Sequence, residues 1–191
     1  MENLIEIRWH GRGGQGAKTA ALLFADAALA QGLYIQAFPE YGPERMGAPV
    51  TAFNRLSSKP ILLHSGVTNP AIVIVLDPTL TEGVDVSEGL PENGVLLVNT
   101  EKTPADIKKE LDITGSIKVW TVDASTISKE TIGREIPNTP MLGALIKATG
   151  ILDFKEMVED TRKKLEKKFK SKPEVIEGNL KAIERAYDEV R

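Results

Sequence analysis

The sequence predicts an α/β domain with a mainly parallel, mixed sheet, closed by a C-terminal helical hairpin. Three observations carry that prediction. Short apolar runs alternate with helix-period segments along most of the 191 residues. Two of those runs, residues 71–76 and 95–98, are apolar at every position, as strands covered on both faces are. The first run, residues 4–9, passes through a glycine-rich turn into an alanine-rich stretch, which makes a strand–turn–helix unit.

The elements follow in order. Residues 4–9 alternate as a strand, and residues 20–30 read as the first helix. Residues 33–38 form a second strand, stopped by Pro39. Residues 39–49 hold three prolines and two glycines, too many breakers for regular structure, and form a loop on the same side as the glycine turn. Residues 50–56 and 60–64, separated by Ser57-Ser58-Lys59, read as an antiparallel strand pair. The run 71–76 is a central strand ended by Asp77-Pro78, and 95–98 is another, opened by Asn93-Gly94. Thr103-Pro104-Ala105-Asp106 starts a helix, with a capping side chain, a first-turn proline and an acid at the positive helix end. Residues 117–122 are the last strand, and 141–149 a short helix ended by Gly150. Beyond residue 150 the apolar positions fall at helical spacing in two stretches, Phe154 to Leu165 and Ile176 to Val190, with a capping box at Ser171-Lys172-Pro173-Glu174. The division is therefore an α/β body over 1–150 and a helical hairpin over 151–191 packed on it.

Composition bounds the function. A net charge of -3 argues against a nucleic-acid partner. No apolar run is long enough to span a bilayer, and the amino terminus lacks the form of a signal peptide, so the expectation is a cytoplasmic protein. The chain has no cysteine, hence no disulfide, no thiolate nucleophile and no thiolate ligand for an iron–sulfur cluster. Its two histidines, His10 and His64, do not make a zinc site and read as structural. The lysine cluster at 163, 164, 167, 168, 170 and 172 reads as a solvated helix face interleaved with acids, or as a docking surface.

The segment Gly11-Arg12-Gly13-Gly14-Gln15-Gly16 carries the chemistry. Four glycines in six residues, at a strand-to-helix junction, let the backbone come close to a ligand and aim amide N–H groups at it, which suits an anion. Gly11, Gly13 and Gly16 satisfy the dinucleotide spacing, but Arg12 and Gln15 are bulky for that turn. The acid expected at the end of strand two is also missing, since Glu40 lies beyond Pro39. The P-loop spacing fails too: Ala17 intervenes before Lys18-Thr19, and one extra helical residue rotates the lysine by roughly 100°. Ligand contact is favoured over a bare tight turn, and Arg12, Lys18 and Arg45 are the cations placed to help.

Four segments taken together resemble the gamma subunit of the 2-oxoacid:ferredoxin oxidoreductases, most nearly those acting on pyruvate. They are the glycine loop, Tyr41-Gly42-Pro43-Glu44-Arg45-Met46-Gly47, Asp77-Pro78, and Asn138-Thr139-Pro140-Met141-Leu142-Gly143-Ala144-Leu145. The resemblance covers nearly the whole chain. It implies a Rossmann-like three-layer domain acting beside alpha, beta and delta subunits in a heterotetramer. Such an enzyme converts pyruvate, coenzyme A and oxidised ferredoxin to acetyl-CoA, carbon dioxide and reduced ferredoxin. Thiamine diphosphate, Mg2+ and [4Fe-4S] clusters would sit in the partners. This chain would be inactive alone and would hold no metal and no catalytic residue. It would contact coenzyme A through Gly11, Arg12, Gly13, Gly14, Gln15, Gly16, Lys18 and Arg45. Tyr41, Gly42, Pro43, Glu44, Met46, Gly47, Asn138 and Thr139 would meet partner subunits, with Asn138-Thr139-Pro140 capping the following helix. Other 2-oxoacids (2-oxoglutarate, branched-chain or aryl-pyruvate) and a free-standing nucleotide-binding protein remain the alternative readings.

Overall fold

A single reversed strand sets the plan of the molecule. In the computed structural model, which describes residues 4–40, 47–170 and 172–191, the strands are β1 (Ile5–Arg12), β2 (Tyr34–Glu40), β3 (Pro49–Ser57), β4 (Ile72–Val75), β5 (Val95–Asn99) and β6 (Lys118–Val122). They form one sheet in the order β2-β3-β1-β4-β5-β6. β3 is antiparallel to both of its neighbours, and the β1–β4, β4–β5 and β5–β6 pairs are parallel. Every strand but β3 therefore runs the same way.

The helices are α1 (Ala17–Ala30), α2 (Pro104–Glu110), α3 (Ala124–Ile132), α4 (Asn138–Thr149), α5 (Phe154–Lys168) and α6 (Pro173–Glu189). Period-2 alternation sorts the strand side chains onto two faces. Ile7, Trp9, Ile74 and Leu97 face the large core shared with α1, α3, α4, α5 and α6, to which the tail contributes Met157, Ala182 and Ile183. Val73, Val75, Leu96 and Val98 face a smaller core capped by Leu80 and by Ile107 of α2. Three layers result, and the second helical layer is thin. Among the described residues no helix is long and apolar enough to cross a membrane.

The anchor between α1 and the sheet is polar and buried. Trp9 donates its indole N–H to Asn54 Oδ1 (2.8 Å), and the Asn54 amide donates to the Ala21 carbonyl of α1 (3.0 Å). Asn54 is fully buried, so losing either partner would strand a buried amide. This lock fixes where α1 begins relative to the end of β1.

Several boundaries differ from the sequence reading. Residues 60–64 are not a strand. β3 already pairs with β1 on one side and β2 on the other, which leaves no free edge. The guanidinium of Arg55 binds the carbonyls of Ser65 (2.6 Å) and Gly66 (3.0 Å), pinning the following chain as irregular coil. Pro39 does not stop β2, which runs through it to Glu40. β2 is an edge strand, where a missing N–H costs no ladder bond. Helix α1 starts at Ala17 rather than residue 20, and α4 starts at Asn138 rather than Met141. Helix α3 and a 3-10 turn at Pro78–Glu82 are additional elements; the Ser/Thr-rich sequence of α3 hides its helical period, although Asp123 caps it through the Thr126 N–H (2.9 Å). The capping box at Thr103 and Asp106 is present. The expected one at Ser171 falls outside the described residues; Lys172 occupies the cap position of α6 without a side-chain cap bond.

Candidate functional site

The sheet places the glycine loop at its switch point. From β1 the chain returns to the β2 and β3 side, whereas from β4 it crosses to β5 on the opposite side. The loops leaving β1 and β4 therefore part between neighbouring strands, where open α/β sheets bind ligands. One of those loops is residues 12–16, and the other begins at Asp77.

Three glycines are needed for space or for backbone angle. A Cβ on Gly11 would lie 3.3 Å from Ala17 Cβ and 3.4 Å from Leu76 Cδ1, so its absence lets α1 close on the strand. Gly14 and Gly16 take left-handed angles, φ +98° and +83°. A Cβ on Gly16 would fall 2.4 Å from Asn138 Nδ2, so the start of α1 is seated directly on the start of α4. Among the described residues, the N–H groups of Gly14 and Gly16 donate to no acceptor, whereas Gly13 N–H is used by the Ala48 carbonyl (3.0 Å).

The bulky residues in the turn brace it. Gln15 accepts from the Arg12 backbone N–H on Oε1 (2.7 Å) and donates from Nε2 to Asp77 Oδ2 (2.6 Å). Asp77 Oδ1 accepts from Thr79 N–H (2.9 Å) and Thr79 Oγ1 (2.7 Å). The Arg12 guanidinium pairs with Asp77 (3.2 Å), donates to Thr79 Oγ1 (2.8 Å) and reaches the Gly47 carbonyl (3.2 Å). Burial pulls the Asp77 carboxyl upward. The hydrogen bonds from Thr79 and Gln15 outweigh it, with the Arg12 charge assisting, and hold it below the usual carboxylate value. The Arg12 side chain is one-third exposed and is engaged inside the loop.

The remaining candidate residues are distributed unevenly. Lys18 stands on the exposed side of α1, beside Phe38 and Pro39. Tyr41, Gly42, Pro43, Glu44, Arg45 and Met46 lie outside the described residues. Gly47 and Ala48, where that loop re-enters β3, are bonded to Arg12 and Gly13, so the two loops share an anchor. Asn138 and Thr139 are buried. Asn138 is not the cap of α4: Pro137 holds that position, and Asn138 Oδ1 accepts from its neighbour's N–H (2.7 Å). Glu40 does occupy a strand position, but β3 separates its strand from β1. Two strand spacings, about 9–10 Å, keep it from acting as a ribose acid. His10 is buried on β1, and desolvation, with the Arg8 charge assisting, lowers its pKa to about 4, so it is neutral at physiological pH.

The crevice beyond β4, β5 and β6, about 580 Å³, is lined by Asp77, Glu101, Asp123 and Glu135 against a single cation, Lys102. That charge balance repels a polyphosphate. Asn99 holds its floor, donating to the Leu76 carbonyl (2.8 Å) and accepting from Ser125 N–H (3.2 Å). Asn99, Ser125 and the bracing role of Asp77 and Thr79 were missed by sequence reasoning. The available signals were a polar residue directly after each apolar strand run. No group of three or more His, Cys, Asp or Glu side chains among the described residues is arranged to hold a metal.

A family model described as pyruvate ferredoxin/flavodoxin oxidoreductase matches residues 6–189. The chain belongs to that family. It is 50% identical over 187 residues to pyruvate synthase subunit PorC of Thermotoga maritima, covering 98% of this chain and 95% of the relative. It is 46% identical to the pyruvate/ketoisovalerate oxidoreductases common subunit gamma of Pyrococcus abyssi, covering 98% of each. The crystal structure of the Thermotoga maritima pyruvate oxidoreductase subunit superposes with a TM-score of 0.85 at 47% identity, over 100% of this chain and 98% of that one.

Proposed function

We propose that the chain is the gamma-type subunit of a multi-subunit, cytoplasmic pyruvate:ferredoxin oxidoreductase, working beside alpha, beta and delta subunits, and that its glycine loop positions coenzyme A. The activity rests on the near-full-length likeness to pyruvate synthase subunits. One observation carries the ligand role: the Gly14 and Gly16 amides, unpaired among the described residues, lie at the N-terminus of α1 in a loop that Gln15 and Asp77 brace. Thiamine diphosphate, Mg2+ and [4Fe-4S] clusters, carried by the partner subunits, supply decarboxylation of the 2-oxoacid and electron transfer to ferredoxin. A chain without cysteine supplies none of the cluster ligands.

What this chain contributes is order. Coenzyme A is long and anionic, and its thiol must reach an acyl group held on another subunit. Amide donors fixed before binding lose little entropy when they meet a phosphate, and accurate placement lowers a bimolecular barrier by several kcal/mol, on the order of 7–11 in the best cases. The net orientation is favourable because the positive end of the α1 dipole lies behind those donors. Lys18 adds charge on the first turn of α1, and Arg45, outside the described residues, is the further cation assigned to coenzyme A. Neither titratable group buried beside the loop is set to transfer a proton: His10 is neutral, and Asp77 is ionised and occupied.

The likeness to a gamma subunit common to pyruvate and ketoisovalerate enzymes favours a second reading, in which one chain serves two catalytic partners. Anaerobic affinity capture from the native host tests both. Recovery with one set of cysteine-rich and thiamine-binding chains fits a dedicated pyruvate enzyme, and recovery with two sets fits a shared subunit. Recovery of the chain alone at low salt contradicts both.

A further inference from the structure

A second concavity opens on the other side of Gly16, between α1, the start of α4 and the hairpin of α5 and α6. It measures about 410 Å³, within the range of small-molecule sites, and its lining includes four cations and no acid among the described residues. That balance is opposite to the net charge of -3 and to the acidic crevice beyond β4–β6.

Three features give this groove its character. Leu23, Leu165 and Val175 make an apolar floor. At its rim stand Arg134, Lys168 and Lys172, whose side chains form no ion pair among the described residues; Lys164, the fourth cation, is held by Asp160 and Asp26. The third feature concerns helix ends. Helices α2, α3 and α5 are each capped by a side chain, from Thr103, Asp123 and Asp153. The helices that start at the groove, α4 and α6, have Pro137 and Lys172 at the cap, with no side-chain bond. Both dipoles therefore add positive potential where the cations already stand, undiminished at α4 and partly offset at α6 by Glu174 in its first turn. Two amides, Asn138 and Asn179, are nine-tenths buried in the wall. Asn179 uses its Nδ2 on the Val175 carbonyl (2.7 Å), while Asn138 Nδ2 packs toward Gly16.

We infer that this groove is a binding site for a nucleoside phosphate. The floor takes the apolar base, the side-chain oxygen of Asn179 meets its polar edge, and Arg134, Lys168 and Lys172 hold the phosphates at the mouth. An apolar floor alone would suit a hydrocarbon, and a cation cluster alone would suit any anion. Their adjacency selects a ligand with a flat apolar end and a charged end.

Isothermal titration of the full chain at low salt tests the assignment, with ADP, adenosine and orthophosphate as probes. ADP is expected to bind at least tenfold tighter than adenosine and tenfold tighter than orthophosphate. Lys168→Gln/Lys172→Gln should weaken ADP at least tenfold, about 1.4 kcal/mol. Both side chains are exposed, so the variant keeps its fold. Gly14→Ala, in the glycine loop, should leave ADP binding unchanged, which separates this site from the proposed coenzyme A loop. Competition identifies the source of the group: ADP binding at least as tightly as coenzyme A marks a free-nucleotide site, and coenzyme A displacing ADP at lower concentration marks a handle for the cofactor's nucleotide end. No ADP binding at millimolar concentration, equal binding of orthophosphate, or binding that survives the double variant would overturn the assignment.

Discussion

The brace beneath the glycine loop has a fixed hydrogen-bond polarity, and reversing it should be costly in a predictable way. The Arg12 backbone N–H must be accepted by Gln15 Oε1, which leaves Gln15 Nε2 as a donor that needs the Asp77 carboxylate. In Asp77→Asn, the new amide oxygen can still serve Thr79, and its NH2 then faces the Gln15 NH2. Flipping Gln15 only moves the conflict to the Arg12 N–H. One charged hydrogen bond and the Arg12 ion pair are lost together. With the carboxylate side chain only 12% exposed, and the partly exposed Arg12 contributing little, the loss should be about 2–3 kcal/mol. Gln15→Glu alone places two carboxylates in contact and should cost a similar amount. The double variant Gln15→Glu/Asp77→Asn gives every donor an acceptor again. The carboxylate introduced at position 15 then accepts from both the Arg12 N–H and the amide introduced at position 77. Urea unfolding of the four proteins gives the coupling energy, expected at about 1–3 kcal/mol in favour of the double variant. A single Asp77→Asn variant within about 0.5 kcal/mol of wild type, or additive losses in the double, would refute the polarity argument.

Close packing and burial set the other expectations. Gly16→Ala combines a left-handed φ with a Cβ against Asn138 and should destabilise by roughly 2–4 kcal/mol in thermal unfolding, with part of the loss recovered in Gly16→Ala/Asn138→Ala. Gly143→Ala would put a Cβ 2.0 Å from the Ile183 carbonyl, where α4 crosses α6, and should leave little folded protein by circular dichroism. His10 is disfavoured as a cation in the folded state, so its contribution to stability is complete above its unfolded pKa near 6.5. That contribution falls as pH drops from there and levels off below about 4, a loss of roughly 2–4 kcal/mol; His10→Gln should flatten that part of the stability–pH curve. Asp77 is depressed instead, so its contribution should persist down to its unfolded value near 3.9 and be lost only below it, which Asp77→Asn would abolish.

Much of the architecture was legible because it rests on local pattern. The all-apolar runs around Ile74 and Leu97 do become interior parallel strands, and Thr103-Pro104 does open a capped helix. The strand expected over residues 60–64 failed because pairing is a property of the whole sheet. Nothing local shows that both edges of β3 are already taken. Pro39 misled for the converse reason, since a breaker is harmless at an edge and only the strand order reveals the edge. The site was half legible. Its glycines stand out in the sequence, but the function of Gln15 depends on Asp77, far along the chain, and Arg12 reads as a ligand cation until its bonds to Thr79 and Gly47 are seen. The groove at α4 and α6 was only partly legible: Lys164, Lys168 and Lys172 belong to the lysine cluster read as a solvated face or a docking surface, but Arg134 and the apolar floor join them only in the fold.

Steady-state kinetics of the assembled oxidoreductase carrying Gly14→Ala bears most directly on the central idea. Nothing lies within 4 Å of that Cβ, so the substitution disturbs the loop's backbone angle and its free amide without a clash. The expected result is a fall of at least tenfold in kcat/KM for coenzyme A, with KM for pyruvate unchanged and the melting temperature of the complex lowered only by the local cost of the left-handed angle. Coenzyme A kinetics indistinguishable from wild type would show that the cofactor is positioned by other residues.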